Sequence, residues 1–266
     1  MLEIRNATKT FLKGTPNEHT AIDDISLFLK EGEFVTVIGS NGAGKSTLFN
    51  AIGGSFWLDR GRILLNGEDI TYKPEHKRAS VIGRLFQDPI KGTAPDMTVE
   101  ENLALAFNRR RYNGLRIGVR RSDVKVFQEK LAEFGMGLEN RMKTKVGLLS
   151  GGQRQALALL MSTIGKPLLL LLDEHTAALD PASAEKVLAI TREIVIREKL
   201  TTMMITHNIQ SALKTGSRTI MLDRGKIILD ISGKEREKMT VARLLELYSG
   251  KGDTALDNDR MLLTRS

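Results

Sequence analysis

Cysteine is absent from the chain, which excludes disulfides and thiolate metal sites and fits a reducing cytoplasm. Long apolar runs are absent too. A membrane-spanning helix needs roughly 20 such residues, and the longest dense run here, residues 168–172, is strand-sized. The first residues, Met1-Leu2-Glu3-Ile4-Arg5, lack the basic-then-apolar pattern of a signal peptide. The expectation is a chain that neither crosses a membrane nor is exported, and that can still dock onto a membrane protein. Internal repeats and low-complexity tracts are missing. Aromatics are scarce where nucleic acid would need them. Arg109, Arg110, Arg111, Arg116, Arg120 and Arg121 cluster with no acid between them, and only Tyr112 interleaves. That is no stacking platform for single strands. The cluster suits a solvated helix end, anionic lipid headgroups, an acidic partner or nucleic acid.

What is present suits a packed α/β protein. The 266 residues are 41% hydrophobic with a net charge of +8, ample for a core and against disorder. Residues 2–4 and 25–29 alternate apolar and polar, as half-buried antiparallel strands do. Residues 34–38 are β-rich and mostly apolar and break at Gly39, and residues 46–52 have helical propensity. The local order is therefore strand, glycine loop, helix. Residues 61–66 form another strand closed by Asn66-Gly67. From Met97 the character turns helical: 102–107 behind a Thr98 cap, 124–134, and 151–163. Strands at 168–172 and 202–206 then alternate with helices at 182–198 and 209–214. Strands 219–223 and 226–231 turn at Arg224-Gly225, and a helix over 241–248 precedes a polar tail. The pattern is an α/β sheet with an antiparallel N-terminal portion, interrupted by a helical insertion near residues 90–165.

Five places carry chemistry. Gly39, Ser40, Asn41, Gly42, Ala43, Gly44, Lys45 and Ser46 fit the P-loop pattern in full. Glycines let backbone N–H groups converge on phosphates, and the following helix adds its positive end. Lys45 would reach the β- and γ-phosphates, Ser46 would offer a hydroxyl to Mg²⁺, and Thr47 would bond the α-phosphate. Asp173 and Glu174 end an apolar strand, at the sheet edge where α/β folds bind ligands. Asp173 suits Mg²⁺, and Glu174 suits a general base on the attacking water. His207 follows the strand at 202–206 and so emerges at the same kind of edge, where an imidazole can bond a phosphate or hold the water. Gln87, after a possible strand Arg84-Leu85-Phe86, offers an amide to Mg²⁺ or the water, although a surface glutamine is the default reading. Ser150, Gly151, Gly152 and Gln153 open a helix: a serine cap with two glycines at a positive helix end, equally consistent with an ordinary capped helix.

In order, these motifs resemble those of an ATP-binding subunit of a bacterial ABC transporter of the importer type. The resemblance covers about residues 1–248: Walker A at 39–47, Q-loop at Gln87, LSGGQ at 149–153, Walker B at 168–173 with Glu174, D-loop at Ala178-Leu179-Asp180, and the switch histidine His207. It implies a P-loop NTPase core with an antiparallel β subdomain and a helical insertion, as a single ABC ATPase domain over 1–250 before a tail at 251–266. It implies ATP and Mg²⁺ as cofactors, and Phe11 stacked on adenine. It implies a head-to-tail dimer, of identical chains, in which Ser150, Gly151, Gly152 and Gln153 meet the γ-phosphate held by the other chain's Walker A, with Asp180 across the contact. The implied partners are an integral membrane permease and, indirectly, an extracytoplasmic substrate-binding protein, with no nucleic acid. The implied place is the cytoplasmic face of the cell membrane.

One departure stands out. The family usually has proline after the catalytic glutamate, and here it is His175. With Gln87-Asp88-Pro89 and Gly92-Thr93-Ala94-Pro95, this variant is similar to importer ATPases for amino acids, notably aromatic ones such as tryptophan. The competing class, ABC ATPases that act on DNA repair or the ribosome, usually carries two cassettes or a long coiled-coil insertion, and neither is present.

Overall fold

Residues 1–108 and 119–249 are described in a computed structural model of the chain. Arg109, Arg110, Arg111, Tyr112, Arg116 and the expected tail at 251–266 lie outside the described residues. Strand β1 (Leu2–Phe11) pairs antiparallel with β2 (His19–Leu29), with Leu2 opposite Leu29 and Ile4 opposite Leu27. The apolar members of both alternations, Leu2, Ile4, Ile25, Leu27 and Leu29, are buried, each worth about 1.5–3 kcal/mol of burial. Strand β3 (Phe34–Ile38) is buried throughout and leads through the glycine loop into helix α1 (Lys45–Gly53). Strand β4 (Arg60–Leu65) adds to β1 with Ile63 opposite Ile4. The two-residue β5 (Glu68–Asp69) returns along β4 through Asn66 and Gly67, both at positive φ, as the dipeptide demands. The sheet order is β2-β1-β4-β5.

A single turn of helix, α2 (Glu75–Arg78), delivers a buried cation. Arg78 is 1% exposed. Its guanidinium donates to the backbone oxygens of Ala51 (2.7 Å), Ile52 (2.8 Å), Thr71 (2.8 Å) and Lys73 (2.8 Å). The first two close the C-terminal end of α1, where Gly54 at φ +90 turns the chain away. A cation there complements the helix dipole.

The next segment begins with β6 (Ile82–Leu85), then α3 (Val99–Asn108), α4 (Arg121–Ala132), α5 (Gly151–Thr163), β7 (Leu169–Asp173) and α6 (Pro181–Arg197). Strands β6 and β7 run parallel, with Leu85 opposite Leu172. Helix α3 has the expected cap: Glu101 accepts from the Thr98 N–H and hydroxyl at 2.7 Å. Helix α4 runs three residues ahead of expectation at its start and stops two short of residue 134. Its end tightens into bonds from Phe134 to Leu131 and from Gly135 to Ala132, with Gly135 at φ +58.

Strands β8 (Thr201–Ile205), β9 (Arg218–Asp223) and β10 (Lys226–Ser232), with helices α7 (Ile209–Thr215), α8 (Gly233–Glu237) and α9 (Val241–Ser249), complete the chain. Strand β3 lies between β8 and β9, parallel to both. Ile38, Ile209, Ala212, Met221 and Leu244 close a core beside them. The described residues pack as two compact units: 1–78 with 201–249, and 79–108 with 119–200. The helical insertion expected at 90–165 falls within the second unit, which also contains β6, β7 and α6. The short β5, α2 and α8 have no sequence period, and nothing in the pattern foretells them.

Candidate functional site

In the first unit the phosphate-type loop is built by close backbone approach. A Cβ on Gly39 would stand 2.2 Å from the Leu222 carbonyl oxygen of β9, and one on Gly44 would stand 2.3 Å from that of Ala21 in β2. Both also hold positive φ, +145 and +99, so only glycine fits. Gly225 fastens the loop from the side, donating to the Ala43 oxygen at 3.1 Å and accepting from Asp23 at 2.9 Å. Lys45 is 5% exposed, and its ammonium donates to the Gly39 and Ser40 oxygens at 2.8 Å each. Helix α1 starts without a side-chain cap and without an acid in its first turn. Its N-terminal N–H groups and dipole therefore suit an anion. Asn41, Gly42 and Ser46 are exposed, Ser40 and Thr47 half-buried.

His207 is half-buried, two residues beyond β8. Because β3 and β8 run parallel, with Ile205 opposite Val37 and the Thr206 N–H on the Val37 oxygen, His207 leaves at the edge where Gly39 begins the loop. Phe11 ends β1 and is 36% exposed. Its ring meets Phe56 edge-on at 5.3 Å, with the Lys9 ammonium 5.5 Å from both centroids. Phe56 and Lys9 are neighbours the sequence did not reveal.

In the second unit, β6 and β7 bring Gln87 and the pair Asp173–Glu174 to one edge. Gln87 is exposed. Asp173 and Glu174 are half-buried, and the Arg84 guanidinium lies 4.0 Å from the Asp173 carboxylate. Glu174 adopts φ +45, uncommon outside glycine. The exposed hydroxyl of Ser46, the Gln87 amide and the Asp173 carboxylate are hard oxygen donors of the kind Mg²⁺ takes. No group of three His, Cys, Asp or Glu forms a metal cluster among the described residues.

A second pair of motifs meets elsewhere in this unit. Ser150 caps α5 by accepting from the Gln153 N–H at 3.2 Å, and the Gln153 amide oxygen accepts from the Ser150 N–H at 3.2 Å, a reciprocal capping box. The Gln153 side chain is committed locally: its oxygen also accepts from Arg141 at 3.0 Å, and its nitrogen donates to the Met136 oxygen at 3.1 Å. Asp180 caps α6 through the Ser183 N–H at 3.0 Å. Bonds from the Ser183 hydroxyl and N–H hold its carboxyl below the usual carboxylate range. A Cβ on Gly152 would stand 3.0 Å from the Ser183 hydroxyl, so the two helix starts touch. Sequence spacing could not show that contact, nor single out Arg141 behind Gln153. Arg120 and Arg121, the described members of the arginine cluster, are exposed at the start of α4. Among the described residues, no helix is long and apolar enough to cross a membrane.

Residues 22–177 match the family model for the ABC transporter. A tyrosine transport ATP-binding protein of Clostridioides difficile (strain R20291) is 43% identical over 248 residues, 93% of this chain and 98% of that one. A xylose/arabinose import ATP-binding protein of Sulfolobus acidocaldarius is 34% identical over 94% of each chain. A solved dimeric ATP-binding cassette in a post-hydrolysis state, bound to ADP and phosphate, superposes with a TM-score of 0.73 at 29% identity, over 87% of this chain and 98% of that one. A glycine loop built for an anion, a carboxylate pair ending a buried strand and this degree of similarity converge: the chain belongs to the ABC transporter family, as one of its ATP-binding, ATP-hydrolysing subunits.

Proposed function

We propose that two copies of this chain, docked on a membrane permease at the cytoplasmic face, hydrolyse ATP to drive uptake of an amino acid of the aromatic class. A separate extracytoplasmic protein delivers the solute. The observation that carries this reading is the second anion-type helix start. Ser150 and Gly151 are exposed, and Gly152 is packed on the start of α6 beside Asp180. One nucleotide needs one such site, and the chain offers two. A γ-phosphate held by a second chain supplies one, and the dimeric state of the similar cassette supports it. The solute class rests on the tyrosine transport relative.

Each residue then has a task. The N–H groups of residues 42–47 and the Lys45 ammonium hold the phosphates. Ser46, Asp173 and Gln87 would hold Mg²⁺, which would supply charge neutralisation at the phosphates. Glu174 takes the proton of the attacking water, His207 bonds the γ-phosphate, and Phe11 lies on the adenine. Ser150 and Gly151 of the opposite chain complete the anion cage.

The test is to purify the chain with its permease, reconstitute the complex in vesicles and supply ATP with labelled tyrosine, tryptophan or a sugar. Saturable uptake of an aromatic amino acid is expected. Recovery without any permease, with ATPase activity stimulated by RNA or DNA, would overturn the reading in favour of a nucleic-acid ATPase.

A further inference from the structure

His175 is 2% exposed, directly behind the strained Glu174. Its Nε2 lies 3.1 Å from the Thr191 hydroxyl oxygen on α6, and Thr191 is fully buried. The direction of this bond follows from proton counting. Thr191 has one hydroxyl hydrogen, and its oxygen lies 2.8 Å from the Val187 carbonyl oxygen, which can only accept. The hydrogen goes to Val187, so Thr191 accepts from His175. The ring therefore carries its proton on Nε2.

The backbone around it forms a tight turn. The Ala177 N–H returns to the Glu174 oxygen at 3.0 Å, and the chain then reaches Asp180, the cap of α6. A non-glycine residue at positive φ persists only where its surroundings over-determine it. The buried bond from His175 to α6 lies one residue after Glu174.

We propose that His175 is a positioning residue: its Nε2–H···Oγ bond to Thr191 holds Glu174 in its left-handed turn, aims the Glu174 carboxylate, and ties it to the helix that begins at Asp180. This rests on Glu174 being the general base. The geometry also makes the base and the start of α6 one mechanical piece. A shift of α6 at its Asp180 end then moves the carboxylate.

The experiment measures kcat, KM for ATP and the melting temperature of the full chain, with every rate taken well below melting. Thr191→Val keeps the shape and removes the acceptor. It should lower kcat about tenfold, the equivalent of one hydrogen bond, with KM for ATP unchanged. Thr191→Ser should restore the rate to within about threefold, since it keeps the acceptor. His175→Gln carries an N–H donor near the Nε2 position and should retain activity, whereas His175→Asn, whose donor stops short, should not. Joining Thr191→Val to His175→Asn should lower the rate no further than His175→Asn alone. A lowered melting temperature with unchanged kcat in Thr191→Val, or equal kcat for the Gln and Asn variants, overturns the proposal. Should Thr191→Val fail to fold, the Gln and Asn pair decides it. Wild-type turnover in Glu174→Gln would instead remove the general base itself, a failure the His175 variants do not produce.

Discussion

Replacing Arg78 by methionine tests whether the phosphate loop is supported from the far end of its helix. The side chain donates four bonds to backbone oxygens between 2.7 and 2.8 Å and is 1% exposed. Methionine fills much of the same volume and donates nothing. Four carbonyl groups lose their donors, two of them in the last turn of α1. An orphaned buried acceptor costs about 1–3 kcal/mol, and water entering the site recovers part of that. Removing the charge also relieves the desolvation that depresses the Arg78 guanidinium. Taking the low end, roughly 1 kcal/mol per carbonyl, the loss is about 4 kcal/mol, a large part of the roughly 5–15 kcal/mol that holds a domain together. With a urea slope near 3 kcal/mol per molar, the unfolding midpoint should fall by roughly 1.3 M. Arg78→Lys, with at most three donors on a flexible stem, should fall about half as far. Equilibrium urea unfolding, with and without ATP, reads both the stability and the nucleotide's contribution to it. A midpoint for Arg78→Met within error of wild type would show that Arg78 acts by filling space, and the capping argument would be wrong.

Three other outcomes follow from the geometry. Glu174→Gln keeps the shape but removes the base, so ATP binding should persist, turnover should fall by about two to four orders of magnitude, and an ATP-bound dimer should accumulate on gel filtration. Gly44→Ala places a Cβ 2.3 Å from the Ala21 oxygen at φ +99, so the loop must move; fluorescent ATP titration should show binding lost, and unchanged affinity would refute the close-approach argument. Gly152→Val crowds Ser183 without touching the glycine loop; nucleotide should still bind the monomer while ATP-dependent dimerisation fails, and a wild-type dimer yield would count against a role for that contact.

Legibility in the sequence tracked locality. The strand–loop–helix around Lys45 was readable because β3 is short, β-rich and mostly apolar and the glycines follow at fixed offsets. Ser150 and Gln153, three apart, form the cap that spacing foretells. Most strand limits fell within a residue or two, since the turn signals that bound them are local, but β1 runs on to Phe11 and β2 begins at His19, well outside the alternations at 2–4 and 25–29, because pairing between the two strands carries them past the alternating stretch. Arg78 was invisible: a lone arginine in a short polar segment looks solvated, and only the return of the chain beneath α1 buries it. His175 was visible only as a departure from a pattern. That it is buried and which atom it donates to depend on Thr191, sixteen residues away on another element.

Residue order by itself determined the chemistry of this protein: a loop that must be glycine, a lysine and hydroxyl beside it, a carboxylate pair after an apolar strand, and a second helix start suited to an anion. These are matters of covalent spacing and local backbone freedom, and a linear chain records them. Tertiary structure alone decided what braces each group. It placed the Leu222 and Ala21 carbonyls against the glycines, Arg78 under α1, Ser183 against Gly152, and Thr191 against His175. Those contacts join elements far apart in the chain, and packing in three dimensions sets them.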